Sequence, residues 1–206
     1  MMNILFVCTG NTCRSPMAEA LLKQKYPDTA VRSAGIFAGK NEPANPQAIQ
    51  ALAERGITLD HQTQPVDDKL LNWADVVLSM TTGHKQNLMT DYPAYQEKFF
   101  TLKEYVSSAD NKVWEELRER YADLETKRAL FVREHGQNMS MVELDKALRE
   151  RFKAEMTAIE KLEMTLISYD ISDPFGGDIS VYEHTLNELD ACMDHLMKKI
   201  QHQADQ

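Results

Sequence analysis

Near its start the chain passes without a linker from an unbroken apolar run, Ile4-Leu5-Phe6-Val7, through a loop of small and polar residues, Cys8 to Ser15, into a helix-like run beginning at Pro16. Few folds accept that order. A strand with no polar position has to be covered on both faces, and a parallel sheet with helices above and below does this. The loop then emerges at the carboxyl end of the strand and directly before a helix N-terminus, where backbone N–H groups gather. Ser15 reads as the N-cap of that helix and Pro16 as its first residue, where a missing N–H is no loss.

The pattern continues in the same alternation. Ala30 to Ser33 reads as a second strand, Pro46 to Arg55 as a helix closed by Gly56, Ala74 to Met80 as a third strand, Thr82 to Thr90 as a helix and Lys98 to Leu102 as a fourth strand. Alternating strands and helices of this length predict right-handed crossovers and an open α/β sheet with helices on both faces. After Val106 the composition turns to Glu, Lys and Arg, and two narrow apolar stripes recur at threes, fours and sevens. One stripe is Trp114, Leu117, Tyr121, Leu124 and Phe131; the other is Leu144, Leu148, Phe152, Met156, Ile159, Leu162 and Leu166. His135-Gly136-Gln137-Asn138 separates them, and Ser140 with Glu143 forms a capping box that restarts a helix. An antiparallel helical hairpin follows, with arms of roughly 38 Å at 1.5 Å per residue. Ser180 with Glu183 is expected to cap a last helix whose apolar face holds Tyr182, Leu186, Leu189, Met193, Leu196 and Ile200. The expected division is therefore residues 1–106 with 171–206 as one domain and 107–170 as an inserted hairpin.

Composition narrows the function classes. A formal net charge of −9 argues against nucleic acid or an anionic membrane surface as partner, so a site for an anionic group must concentrate its positive potential locally. Three cysteines form no disulfide framework and no zinc spacing, which points to a reducing cytoplasm without a metal or other cofactor. The first apolar run lacks a basic flank and falls far short of the ~18 residues of a membrane span.

The loop itself suggests chemistry. Cysteine is a strong nucleophile as the thiolate, which is favoured by facing backbone N–H groups, a helix N-terminus and a cation. Cys8 has all three within reach in sequence, because Arg14 can fold over the same cradle and grip two phosphate oxygens with its planar guanidinium. Gly10 is expected to allow the turn that aims N–H groups inward, and Asn11 to hold it. Ser15 is placed to hydrogen-bond the Cys8 sulfur. His61 and His84 lie near element ends, where structural hydrogen bonds are the expected use, and Cys192 reads as core.

With Cys8-Thr9-Gly10-Asn11-Thr12-Cys13-Arg14-Ser15 stand Ser33-Ala34-Gly35-Ile36, Ala74-Asp75-Val76-Val77-Leu78-Ser79-Met80-Thr81 and Asp173-Pro174-Phe175. On these segments the chain resembles the low-molecular-weight protein tyrosine phosphatases over residues 1 to about 106 and 171 to about 200. Within that family the resemblance runs to the bacterial protein arginine phosphatases, which share a threonine at Thr12 where tyrosine-specific members carry an aliphatic residue. It implies a flavodoxin-like sheet of order 2-1-3-4. It also implies a cysteinyl-phosphate enzyme acting on phosphorylated proteins, with Cys8, Arg14 and Asp173 as catalytic residues and Thr9, Gly10, Asn11, Cys13 and Ser15 as the supporting loop. Asp173 would be the general acid and then the base, although an Asp-Pro pair is also an ordinary turn opener.

Several alternatives stay open at this level. Phe175 is an apolar wall for the substrate or a core residue, and Cys13 is a packing residue or a partner for Cys8 in a protective disulfide. Phosphoarginine and phosphotyrosine are rival substrates, separated by Thr12 and Phe175. A non-catalytic phospho-binding adaptor presenting the hairpin is the rival from another class, and a thioredoxin-coupled arsenate reductase lacks the further cysteine pair it would need. The hairpin, absent from ordinary members of the family, is a docking arm for a protein partner, a lid acting on the Asp173 loop, or a neutral elaboration.

Overall fold

The computed structural model describes residues 2–107, 111–136, 139–165 and 169–204. Four parallel strands form one sheet in the order β2-β1-β3-β4: β1 Ile4–Cys8, β2 Val31–Gly35, β3 Val76–Ser79 and β4 Phe99–Thr101. Ile4 pairs with Val31 on one side and Val76 on the other, so β1 is central. The chain moves from β1 outward to β2 and then crosses back to β3, and the crevice for a ligand opens beyond the carboxyl end of β1.

The apolar run at the start is explained by the two cores. Side chains alternate along a strand, so Ile4, Phe6 and Cys8 face one layer while Leu5 and Val7 face the other. The first layer contains α1 Arg14–Lys25, α2 Pro46–Ala53, α5 Leu102–Val106 and α9 Ile179–Ala204; the second contains α3 Asp68–Trp73 and α4 Thr82–Asp91. Ile4 to Val7 are wholly buried. At ~1.5–3 kcal/mol for each large apolar side chain buried, this strand anchors the loop that follows it. The expected apolar face of the last helix is all buried.

Two helix starts differ from expectation. Helix α1 begins at Arg14, so Ser15 lies inside the first turn and Pro16 is its third residue; Cys13 occupies the N-cap and no side chain caps the helix. The Ser15 hydroxyl is drawn to other partners, described below. In α9 the cap is Asp178, whose Oδ1 accepts from the N–H groups of Ser180 and Val181 and from the Ser180 hydroxyl. Ser180 is already helical and cannot form a box with Glu183. Short helices α3 and α5 were not legible as such; they start on Asp67, which accepts from Leu70, and on a Thr101–Glu104 capping box.

The chain divides into two compact units, one made by residues 1–107 and 169–206 and the other by residues 108–168. The helices of the latter are α6 Asn111–His135, α7 Met141–Arg151 and α8 Lys153–Thr165. The second arm is thus two helices rather than one, interrupted at Phe152, whose ring is buried with Leu117, Leu124 and Ile159. The interruption is one residue long, since Met156 N–H still reaches Phe152 O at 3.0 Å. The Ser140–Glu143 capping box is present. Tyr121 and Met156 of the expected stripes are exposed. Gln137, Asn138, Leu166 and the side chain of Trp114 lie outside the described residues. Among the described residues no helix is long and apolar enough to cross a membrane.

Candidate active site

The loop after β1 is held in shape chiefly by Asn11. Its φ is +56°, the left-handed region, so the turn expected of Gly10 is made by its neighbour; asparagine tolerates this region better than most residues. The side chain of Asn11 is fully buried and fully used. Its Nδ2 donates to Ser15 Oγ and Ser33 Oγ, both at 2.9 Å, and its Oδ1 accepts from Gln64 N–H at 2.9 Å. Gly35, opposite Cys8 in the sheet, lets the loop come close: a Cβ there would lie 2.7 Å from Thr9 O and 2.8 Å from Asn11 N.

From Asn11 one branch of hydrogen bonds runs through Ser15 to the sulfur and another through Ser33 to Glu19. Ser33 Oγ donates to Glu19 Oε2 at 2.6 Å, since an ionised carboxylate only accepts. Ser33 and Ser15 therefore both accept from Asn11, and the single Ser15 proton is left for Cys8 Sγ at 3.0 Å or Ala34 O at 3.3 Å. When Cys8 is a thiolate, that proton turns to the sulfur. The first-turn N–H groups of α1, uncapped by any side chain, begin at the same place.

Arg14 is nearly buried, and its Nη2 donates to Asp173 Oδ2 at 2.8 Å. Four of its five N–H donors are not used in that bond. Asp173 is half exposed, on a loop fixed by Ser172 Oγ against Thr185 Oγ1 at 2.9 Å and by Asp170 Oδ1, which accepts from Thr82 N–H at 2.7 Å. A cavity of about 230 Å³ is lined by Cys8, Thr9, Gly10, Thr12, Cys13, Arg14, Asp173 and Phe175. The structure thus brings together residues 159 positions apart in the chain. Phe175 is 77% exposed, which removes the core reading and leaves it as a wall of the cavity mouth. A larger groove of about 630 Å³ at the amino ends of β1 and β3 is lined by neither a cysteine nor an arginine, so volume alone does not locate the chemistry.

Burial pushes the Cys13 thiol up, and Cys192, also buried, is raised to about 11, so both favour the protonated form near neutral pH. Cys13 Sγ lies 3.6 Å from the hydroxyl of the fully buried Tyr182.

His61 and His84 both reach the loop with hydrogen bonds, the use expected of them near element ends. His61 Nε2 is 2.8 Å from Asn11 O, and His84 Nε2 is 2.8 Å from Thr9 Oγ1. His84 is buried, and its pKa is lowered to about 4, first by that burial and then by the Arg14 cation. Glu19, Ser33, Gln64 and Tyr182 likewise serve the loop. Ser33 sits in a recognisable Ser-Ala-Gly segment; for the rest, separation along the chain hides the contact.

Residues 3–131 match the family described as low molecular weight phosphotyrosine protein phosphatase. The protein-arginine-phosphatase of Bacillus subtilis (strain 168) is 35% identical over 203 residues, covering 97% of each chain. The structure of YwlE arginine phosphatase from Geobacillus stearothermophilus superposes with a TM-score of 0.67 at 33% identity, covering 98% of this chain and 95% of that one. A cysteine-to-serine mutant of YwlE arginine phosphatase with a phosphorylated active site serine gives 0.66 at 33% identity, over 97% and 96% of the two chains. On its sheet, its loop and these similarities, the chain belongs to the low molecular weight phosphotyrosine protein phosphatase family and is an enzyme of that family.

Proposed function

We propose that this enzyme hydrolyses phosphoarginine in proteins through a cysteinyl-phosphate on Cys8. The observation that carries the reading is the single cavity lined by Cys8, Thr12, Arg14 and Asp173. In the first step the Cys8 thiolate attacks phosphorus in line, the P–N bond breaks, and Asp173 gives its proton to the departing guanidine nitrogen. Arg14 and the loop N–H groups carry the charge on the equatorial oxygens. In the second step Asp173 takes a proton from water as the water attacks phosphorus, the P–S bond breaks, and Ser15 steadies the returning thiolate. The bond from Arg14 to Asp173 supports this assignment, because it holds the carboxylate beside the cation that binds the phosphoryl group.

The choice of phosphoarginine rests on Thr12, half-buried in the cavity wall, and on similarity to proteins named arginine phosphatases. A short polar wall suits a polar guanidine stem, and the Asp173 carboxyl group is the proton donor for its departing nitrogen. A phosphorylated active site serine in a relative supports attack from the loop residue, and it disfavours a non-catalytic adaptor. Three free cysteines support a reducing, cytoplasmic setting. We read residues 107–170 as an inserted arm that meets a protein partner. The test of substrate is kcat/KM on phosphoarginine and phosphotyrosine peptides for wild type and Thr12→Ile. Thr12→Ile is expected to shift the ratio toward phosphotyrosine; an unchanged ratio would remove Thr12 from the argument.

A further inference from the structure

Thr9 lines the cavity beside Cys8, and its hydroxyl oxygen lies 2.8 Å from His84 Nε2. His84 stands in the first turn of α4, fixed by its own N–H donating to the capping Thr81 Oγ1 at 3.1 Å. Its residual exposure is 9%, and its Nδ1 is buried without a hydrogen-bond partner among the described residues. The charged groups that bear on it are Arg14, which opposes a second proton, and Asp173 and Asp170, which favour one more weakly than burial and Arg14 oppose it.

A ring with one proton has two ways to place it. With the proton on Nδ1, a buried N–H would be orphaned, which is the rarer and costlier defect; with the proton on Nε2, only a lone pair is left unpaired. The second arrangement makes Nε2–H donate to Thr9 Oγ1. The Thr9 hydroxyl then cannot spend its own proton on the ring. In the reverse arrangement Thr9 would donate to the ring and present only lone pairs to a phosphoryl oxygen, which would repel it.

We propose that His84 is a positioning residue that, by donating from Nε2 to Thr9 Oγ1, turns the Thr9 hydroxyl proton into the phosphoryl-binding cavity. Thr9 becomes a side-chain donor added to the N–H groups of the loop. The inference deepens the proposed function and rests on the loop from Cys8 to Ser15 being the phosphoryl cradle.

The test is a double-mutant cycle of Thr9→Val with His84→Met, with His84→Gln as the variant that keeps an N–H donor. Each is assayed for kcat and KM on a phosphoarginine peptide and an aryl phosphate, for inhibition by inorganic phosphate, and for thermal stability. A hydrogen bond to a charged group is worth ~1.5–3 kcal/mol, so Thr9→Val is expected to lower kcat/KM by about 10- to 100-fold and to weaken inhibition by phosphate. His84→Met should match it, add less than about twofold in the Thr9→Val background, and be largely rescued in His84→Gln. Full activity in Thr9→Val, or a His84→Met loss that is undiminished when Thr9 is already Val, overturns the proposal while leaving the cradle intact. If His84→Met does not fold, Thr9→Val and His84→Gln alone decide: equal losses in both would also overturn it. A wild-type chain inactive on both substrates overturns the cradle reading and this inference with it.

Discussion

Acid should destabilise this protein through His84 in particular. In the native chain His84 protonates only near 4, against an ordinary value of 6.5, because burial and Arg14 oppose its charge. Between those two values the unfolded chain holds a proton that the native chain refuses. The stability this provides is therefore complete above 6.5 and is lost as pH falls toward 4. A gap of about 2.5 at 1.36 kcal/mol each amounts to about 3 kcal/mol, a large part of the ~5–15 kcal/mol of an ordinary domain. The perturbation is His84→Gln, which keeps a donor near Thr9 but cannot titrate. Urea denaturation of both proteins from pH about 7.5 to about 4.5 should show wild type losing about 2–3 kcal/mol more than the variant. Carboxylates such as Asp178 and Asp194, held low by their hydrogen bonds, titrate in both proteins and cancel in the difference. Parallel curves for the two would refute the reasoning, and so would a greater loss in the variant.

Other outcomes follow from the same geometry. Gly35→Ala places a methyl 2.7 Å from Thr9 O and 2.8 Å from Asn11 N, so it should cost ~1–3 kcal/mol in stability and lower kcat more than that loss of folded protein accounts for, read by chemical denaturation and kinetics together. Peroxide should inactivate the enzyme, with thiol restoring activity in wild type but not in Cys13→Ser if Cys13 protects Cys8 by forming a disulfide; equal recovery would leave Cys13 as a packing residue. Replacing residues 108–167 with a short glycine linker should leave turnover of a small phosphoarginine compound within about threefold while removing binding to a partner protein; complete loss in a folded deletion would favour a lid.

What could be read from the residues follows physical locality. Ile4 to Val7 announced a doubly covered strand because every position was apolar, and the two cores divide them in alternation. Cys8 and Arg14 share one loop and could be joined by chemistry alone. Asp173 needed a resemblance, since nothing local distinguishes it from an Asp-Pro turn, yet it meets Arg14 at 2.8 Å. His84 and Thr9 lie 75 residues apart, and they meet because α4 follows β3, the strand paired with β1. The caps show how near motifs compete: Ser180 and Glu183 fit a capping box, but Asp178 begins the helix earlier and takes the Ser180 hydroxyl for itself. In the hairpin the 3.6-residue period ran through Phe152 without a mark, because a single residue leaving helical geometry hardly disturbs the stripe.

The central claim is that Cys8 takes the phosphoryl group from phosphoarginine. It is tested most directly by mixing wild-type enzyme with a phosphoarginine peptide, quenching within the first turnovers and mapping the phosphorylated residue by intact-mass and peptide mass spectrometry, with Cys8→Ser and a phosphotyrosine peptide run alongside. A transient phosphoryl group on Cys8 that forms faster from phosphoarginine than from phosphotyrosine is the expected result. Turnover of phosphoarginine by Cys8→Ser at the wild-type rate, or a phosphoryl group that forms only from phosphotyrosine, would contradict it.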